Sequence, residues 1–163
     1  MEDRPELLLR TQILDEYKEN SVQVEIEDLM EALKSWPGVW WNAYSQQYGV
    51  KIKEFPYEAR NGFFIDVENR VALYRFESKG ILRRDKLFSE PEYAKIVLPA
   101  YRERWYDVDD ATRCYAVLIT KIKELKDPIP VENFGLFNSW GRVSTKDKFH
   151  HPRPIKATWR DNS

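Results

Sequence analysis

Three residues of the sequence have the spacing of a metal-dependent nuclease site. Asp66 is followed by Glu77, Ser78 and Lys79, which together give an acidic residue and then a Glu-X-Lys motif. In such sites two carboxylates hold a divalent metal ion and the lysine orients the attacking water. Asp66 and Glu77 can share a metal ion only if they lie close together, so the elements that position them decide this function.

Those elements are predicted to be the two strands of a β-hairpin. Segments 63–66 and 71–76 are rich in aromatic and β-branched residues, and a short polar connection separates them. This hairpin places Asp66 opposite Val71. Glu77 then lies roughly 20 Å further along the second strand, at about 3.3 Å per residue. Because carboxylates so far apart cannot bind one metal ion, the nuclease is the least favoured of the functions considered.

Other candidate catalytic groups are few. His150 and His151 are adjacent, and Pro152 follows them in a segment without periodicity, so they are interpreted as solvated side chains. Cys114 lies on the apolar stripe of a predicted helix, where cysteine acts as a small hydrophobic residue. The six glycines are spread singly, which excludes a glycine-rich phosphate loop. The sequence predicts a non-enzymatic protein with no catalytic residue, no metal ligand and no cofactor.

The composition is that of a folded intracellular protein. The chain has 163 residues, of which 42% are hydrophobic and 14% aromatic. No apolar run approaches the roughly 20 residues of a membrane span. A single cysteine is typical of a reducing compartment, so we expect a cytoplasmic or nuclear protein that does not bind membranes.

The net charge of −1 hides two oppositely charged ends. Residues 1–35 have ten acidic and four basic side chains, whereas residues 141–163 have six basic and two acidic ones. A uniformly basic nucleic-acid-binding protein is therefore excluded, but a local basic patch is compatible with the sequence.

Helical periodicity precedes the hairpin. Apolar residues recur at helical spacing in segments 4–19 and 25–35, and an aromatic-rich segment at 39–48 reads as a third helix. Helices followed by a hairpin are arranged in the order of a winged helix. The predicted fold class is α+β, with a winged-helix-like unit at residues 1–78.

Several hydrophobic spacings within residues 5–76 are shared with one family of winged helices. They are Tyr48 and Gly49 at a helix end, Phe55 in the next segment, Phe63-Phe64-Ile65-Asp66 in one strand and Val71-Ala72-Leu73 in the other. On these features the stretch from Leu29 to Phe76 resembles the LOTUS domain, also called the OST-type helix-turn-helix domain. The resemblance implies binding of structured RNA and docking onto a DEAD-box RNA helicase.

The rest of the chain is predicted as two helices and an arm. A helix that begins near Ser89 and a second one after Asp110 form a helical part at residues 79–127, packed on the first unit. Residues 128–163 have no sustained periodicity and include four of the nine prolines, so we expect an extended or partly disordered arm.

The predicted function is a non-catalytic nucleic-acid-associated binding module, with RNA as the first candidate and DNA as the other. Eight basic residues surround the predicted wing, and cations at such positions contact phosphates. They are Lys51, Lys53, Arg60, Arg70, Arg75, Lys79, Arg83 and Arg84. Glutamates are interleaved with them, so ordinary solvated charges are the competing interpretation.

A protein-protein adaptor is the alternative function. Trp36, Trp40, Trp41 and Tyr44 crowd one short segment beside an acidic helix, and exposed aromatic clusters often mark contact sites. A tightly packed aromatic core explains the same cluster equally well.

Overall fold

A computed structural model describes residues 5–15, 22–43, 58–87, 89–99, 115–137, 141–147, 149 and 153–156. Within these residues the strands are β1 (Pro5–Arg10), β2 (Gln12–Asp15), β3 (Val22–Glu25), β4 (Val39–Ala43), β5 (Asn61–Asp66), β6 (Val71–Arg83), β7 (Tyr115–Pro130) and β8 (Arg153–Lys156). The helices are α1 (Ile26–Leu33), α2 (Arg84–Leu87) and α3 (Pro91–Ala94), and a 3-10 turn covers Val131–Asn133.

Six of these strands form one curled mixed sheet, in the order β4-β7-β6-β5-β1-β8. β1 and β5 are parallel, and the other neighbouring strands are antiparallel. β2 and β3 pair separately as a two-stranded sheet. The long strands β6 and β7 lie side by side near the middle, and bulges interrupt their register at three places.

The predicted hairpin and the second predicted helix are confirmed. Asp66 of β5 is paired with Val71 of β6, as the turn prediction requires. Helix α1 lies inside the predicted range 25–35. Its capping box joins Glu25 and Asp28, because the Asp28 carboxylate accepts a 3.0 Å hydrogen bond from the Glu25 amide.

The winged-helix fold class is wrong. The segment predicted as the first helix contains β1 and β2, the predicted third helix begins as β4, and the helix predicted after Asp110 lies largely within β7. Leu7, Leu8 and Leu9 are all buried because both faces of the sheet are covered around β1. A strand buried on both faces loses the alternation that identifies it, so its apolar run resembles a buried helix.

The predicted C-terminal arm contributes to the sheet. β8 pairs antiparallel with β1, with Glu6 opposite Ile155. Phe134 and Phe149 from the same part of the chain are about 1% exposed. Pairing and burial both show that these residues belong to the folded unit. The boundary expected at residues 78 and 79 falls inside β6.

The core has two parts, one on each face of the sheet. On the first face, Ile26 and Leu29 of α1 pack with Trp41, Phe64 and Phe76. The Phe64 ring centroid is 5.5 Å from that of Trp41 and 5.0 Å from that of Phe76. We call this the helix face.

The second face is covered over part of its area by a C-terminal segment, of which residues 131–137, 141–147 and 149 are described. Phe63 and Ile65 of β5 pack there with Phe134 and Phe149, and the ring centroids of Phe63 and Phe134 are 5.0 Å apart. Among the described residues, no helix is long and apolar enough to cross a membrane.

Both edge strands of the large sheet have a neighbouring segment on their outer side. The Trp40 amide of β4 donates a 3.1 Å hydrogen bond to the carbonyl of Ile96, beside a bridge between Trp40 and Val97. On the other edge, the Lys156 amide of β8 donates to the carbonyl of Gly135 at 3.0 Å. Segments 96–98 and 135–137 therefore flank the sheet.

Candidate anion-binding face

Four charged side chains come together on the second face of the sheet, where β6 and β7 pair. Arg75 lies directly opposite Lys123, and Glu77 lies directly opposite Lys121. Opposed residues of an antiparallel pair point to the same side of a sheet, and so do residues two apart along a strand. We call Arg75, Glu77, Lys121 and Lys123 the open face.

The open face begins where the C-terminal segment stops covering the sheet. Leu125, two residues beyond Lys123 on the same side of β7, is buried against that segment. The side chains of Lys121 and Glu77 are 75% and 56% exposed, and Lys123 is also exposed. This part of the sheet is therefore accessible to a ligand.

Arg75 is held rigidly at the border of the covered area. Its guanidinium donates two hydrogen bonds to the carboxylate of Glu6 on β1, at 2.9 and 3.1 Å. The same group lies over the ring of Phe63, 4.8 Å from the ring centroid. A bidentate ion pair of this kind fixes the orientation of both side chains.

The charge of the open face is positive. Three of its four members are cations, and Lys79 of β6 is exposed beyond them at a bulge. The Nζ atom of Lys121 lies 3.9 Å from Oε2 of Glu77, and both side chains are well exposed, so this ion pair contributes little to stability. Lys121 is therefore free to turn toward another anion at little cost.

The structure brings together only some of the predicted phosphate-binding residues. Arg75 and Lys79 lie at or next to the open face. Arg70 has φ 60° at the hairpin turn, and its guanidinium donates to the carbonyl of Asp147. Arg83, opposite Tyr115, lies near the far end of the β6–β7 pairing.

Other members of that set lie elsewhere. The Arg60 guanidinium donates a 2.7 Å hydrogen bond to the carbonyl of Ala59. Lys51, Lys53 and the side chain of Arg84 fall outside the described residues. Their proposed phosphate contacts stay predictions.

The predicted aromatic contact cluster lies largely inside the protein. Trp40 and Trp41 are 1% and 0% exposed, and Trp36 is half-buried against the same core. The rings of Trp40 and Tyr93 pack edge-to-face, with their centroids 5.7 Å apart. Tyr44 lies outside the described residues. The packed-core interpretation of this cluster accounts for Trp40 and Trp41.

Sequence reasoning missed Lys121 and Lys123. Both lie in the segment for which the sequence predicts a helix after Asp110, and lysines near a helix C-terminus complement the helix dipole. The contrary signal was the β-branched content of the segment, which includes Val117, Ile119 and Thr120. In a strand, the spacing of two residues between the lysines puts both on one face.

The nuclease motif is separated as the hairpin predicts. Asp66 pairs with Val71, whereas Glu77 pairs with Asn61 at the other end of the same two strands. The Asp66 carboxylate instead organises the turn, since it accepts hydrogen bonds from Asn69 at 2.6 and 3.3 Å. Within the described ranges, no group of three histidine, cysteine, aspartate or glutamate side chains could hold a metal ion.

An acidic cleft of about 250 Å³ lies on the helix face, between α1 and the hairpin. Glu25, Glu27, Asp66 and Tyr74 are among its lining residues. Partial burial raises the pKa of the Tyr74 phenol above its ordinary value of 10.0, and the nearby carboxylates of Glu124 and Glu27 raise it further.

We expect Tyr74 to keep its proton at pH values where a free tyrosine has lost it. Above pH 10.0 the unfolded chain releases this proton while the folded chain retains it, so the free energy of unfolding falls as the pH rises toward the folded pKa. Phenolate absorbance of the wild type minus that of Tyr74→Phe measures the titration.

A charge variant tests the cause of this shift. Glu27→Gln should lower the pKa of Tyr74, whereas Glu92→Gln, which alters an exposed carboxylate on α3, should leave it unchanged. If Tyr74 titrates together with exposed tyrosines in the wild type, the burial argument is incorrect.

Comparisons with protein-family models, with curated proteins and with solved structures gave no match to this chain. The fold and the geometry of the open face are therefore the basis for the proposals below.

Proposed function

We propose that the protein is a non-catalytic binding module for nucleic acid, RNA in the first instance, and that the open face contacts the phosphates. One observation supports this most strongly. Lys121 and Lys123 are exposed, neighbouring cations on one side of β7, beside Arg75 on β6. Phosphate contacts require cations at about this spacing and little else, so they do not depend on the nucleotide sequence.

The shape of this surface favours an extended strand over a compact anion. A sheet face offers side chains in rows along its strands, and residues two apart along β7 repeat at about 6.6 Å. Among the described residues Tyr93 on α3, at 37%, is the one large apolar side chain that is exposed, and the others are buried or half-buried. Because all four members of the open face are charged, electrostatic contacts, rather than base stacking, are expected to dominate affinity at this face.

The test is the affinity of a fluorescently labelled single-stranded RNA for Lys121→Gln/Lys123→Gln, measured by fluorescence anisotropy over a range of salt concentrations. We expect roughly a tenfold loss of affinity at low salt. The plot of log affinity against log salt has a negative slope, and its magnitude should decrease by about 1.4. Each phosphate contact with a single strand contributes about 0.7 to that magnitude.

A second double variant has the same change in net charge. Lys34→Gln/Lys95→Gln removes two exposed lysines, each paired with a glutamate on or next to a helix. It should bind RNA almost as the wild type does. Equal losses in both double variants would show that net charge alone matters, and the open face would then have no special role.

The choice between RNA and DNA is an outcome of the same titration with a DNA strand of equal length and sequence. Docking onto a DEAD-box RNA helicase stays a prediction of the sequence resemblance.

A protein partner remains the alternative function, with the acidic surface of α1 as its contact: Glu27, Asp28 and Glu31 are exposed there.

A further inference from the structure

We infer that Glu6 limits the affinity of the open face for anions by cancelling the charge of Arg75, an inference that rests on the proposed function. Glu6 is the most buried carboxylate of the described ion pairs, with a side chain that is 5% exposed. Arg75 is 22% exposed and therefore reaches the surface. The pair joins a fixed internal anion to a surface cation.

Strand pairing and burial together hold Glu6 beside Arg75. β1 lies between β5 and β8, with Leu7 paired to Gly62 on one side and Glu6 paired to Ile155 on the other. Pairing on both sides fixes the backbone at Glu6, and the burial of its side chain leaves the carboxylate little room to rotate away. The carboxylate is therefore a permanent part of the surface potential.

Arg75 is equally constrained. Its two terminal nitrogens both bind Glu6, and its flat face rests on Phe63. An approaching phosphate meets a guanidinium that is already neutralised, so it gains less than it would from a free arginine. Lys123, directly opposite, has an exposed side chain and provides the stronger attraction.

Glu77 does not have this effect to the same degree. It is 56% exposed, and its nearest contact with Lys121 is 3.9 Å, so water screens the pair. Glu6 is therefore buried and tightly paired whereas Glu77 is exposed and screened, and Glu6 is the carboxylate that limits the affinity for anions.

The experiment is RNA binding at low salt by wild type, Glu6→Gln and Glu92→Gln, with a labelled single-stranded oligouridylate as the probe. Glu6→Gln should bind about fivefold more tightly, and its salt slope should increase by about 0.7, because one more cation is available. Glu92→Gln makes the same change of net charge at an exposed pair with Lys95 and should differ little from wild type.

A second variant keeps the inference testable if Glu6→Gln folds poorly. In Glu6→Met/Arg75→Met the whole pair is replaced by apolar side chains, a change that proteins often tolerate. Its net charge equals that of the wild type, so its affinity should stay within about twofold of wild type although the face has lost an arginine. A loss as large as that of Lys123→Gln would show that Arg75 binds phosphate and would overturn the inference.

Two different failures are distinguishable. If the lysine variants weaken RNA binding but Glu6→Gln does not strengthen it, the open face binds RNA and the inference about Glu6 is wrong. If the wild type binds no RNA and the lysine variants change nothing, the proposed function and the inference fall together.

Discussion

Gly62→Ala is expected to destabilise the protein by about 3 kcal/mol, near the upper end for overpacking. Gly62 lies on β5 between Leu7 of β1 and Phe76 of β6. A Cβ atom there would lie 2.5 Å from the Phe76 ring and closer still to the carbonyl oxygen of Leu7. Because one obstacle is backbone of a paired strand, a side-chain rotation cannot remove the clash.

The measurement is thermal unfolding, in which this loss corresponds to a midpoint lower by roughly 9 °C for a chain of this size. Gly80→Ala is the matched control, since nothing lies within 4 Å of a Cβ at that position of β6. It should leave the midpoint almost unchanged. If both alanine variants are equally stable, the close approach of β1 and Phe76 to Gly62 is incorrect.

Trp41→Ala is expected to cost about 4 kcal/mol of folding free energy, as large-to-small changes at buried aromatic residues do. Trp41 is 0% exposed and meets the Phe64 ring edge-on, so its removal leaves a cavity on the helix face. Chemical denaturation measures the loss as a lower midpoint, provided that the m-value, the dependence of the unfolding free energy on denaturant concentration, is unchanged. The effect on RNA affinity of the folded fraction should be small, because Trp41 points away from the open face.

Tyr93→Ala is the companion variant. Tyr93 contacts the same cluster through Trp40 but is 37% exposed, so its loss should cost roughly 1 kcal/mol. Similar effects of the two variants would indicate that Trp41 is not the packed centre of the core. A large effect of Trp41→Ala on partner binding with unchanged stability would instead favour the adaptor function.

Local patterns in the sequence predicted the elements whose signals are local. The hairpin follows from the aromatic and β-branched strands on either side of a polar turn, and α1 follows from its stripe of apolar residues at helical spacing. Asp66 and Val71 are paired as expected, which also separates the nuclease motif.

The remaining fold depends on contacts between distant parts of the chain. β1 is enclosed by β5 and β8, which follow it by more than 50 and more than 140 residues. No local pattern reveals that Leu7, Leu8 and Leu9 will be covered on both faces, so their run was interpreted as a helix. In β7 the same holds for Tyr115, Ala116 and Val117, which are buried at successive positions and so lack the alternation of a half-exposed strand.

The candidate site was only partly predictable for the same reason. Arg75 and Lys79 were identified from their place on the hairpin, but their neighbours Lys121 and Lys123 come from a strand that was predicted as a helix. The pairing of Glu6 with Arg75 joins residues that are 69 positions apart in the chain. Only the topology places them together.

The flanked edges of the large sheet have a consequence for assembly. An exposed edge strand is a template on which a second chain can add a strand, and proteins often use it for recognition or suffer aggregation through it. Here a partner would first have to displace segment 96–98 from β4 or segment 135–137 from β8. Self-association by strand addition at these edges should therefore be slow, and any partner that binds quickly is expected to recognise side chains.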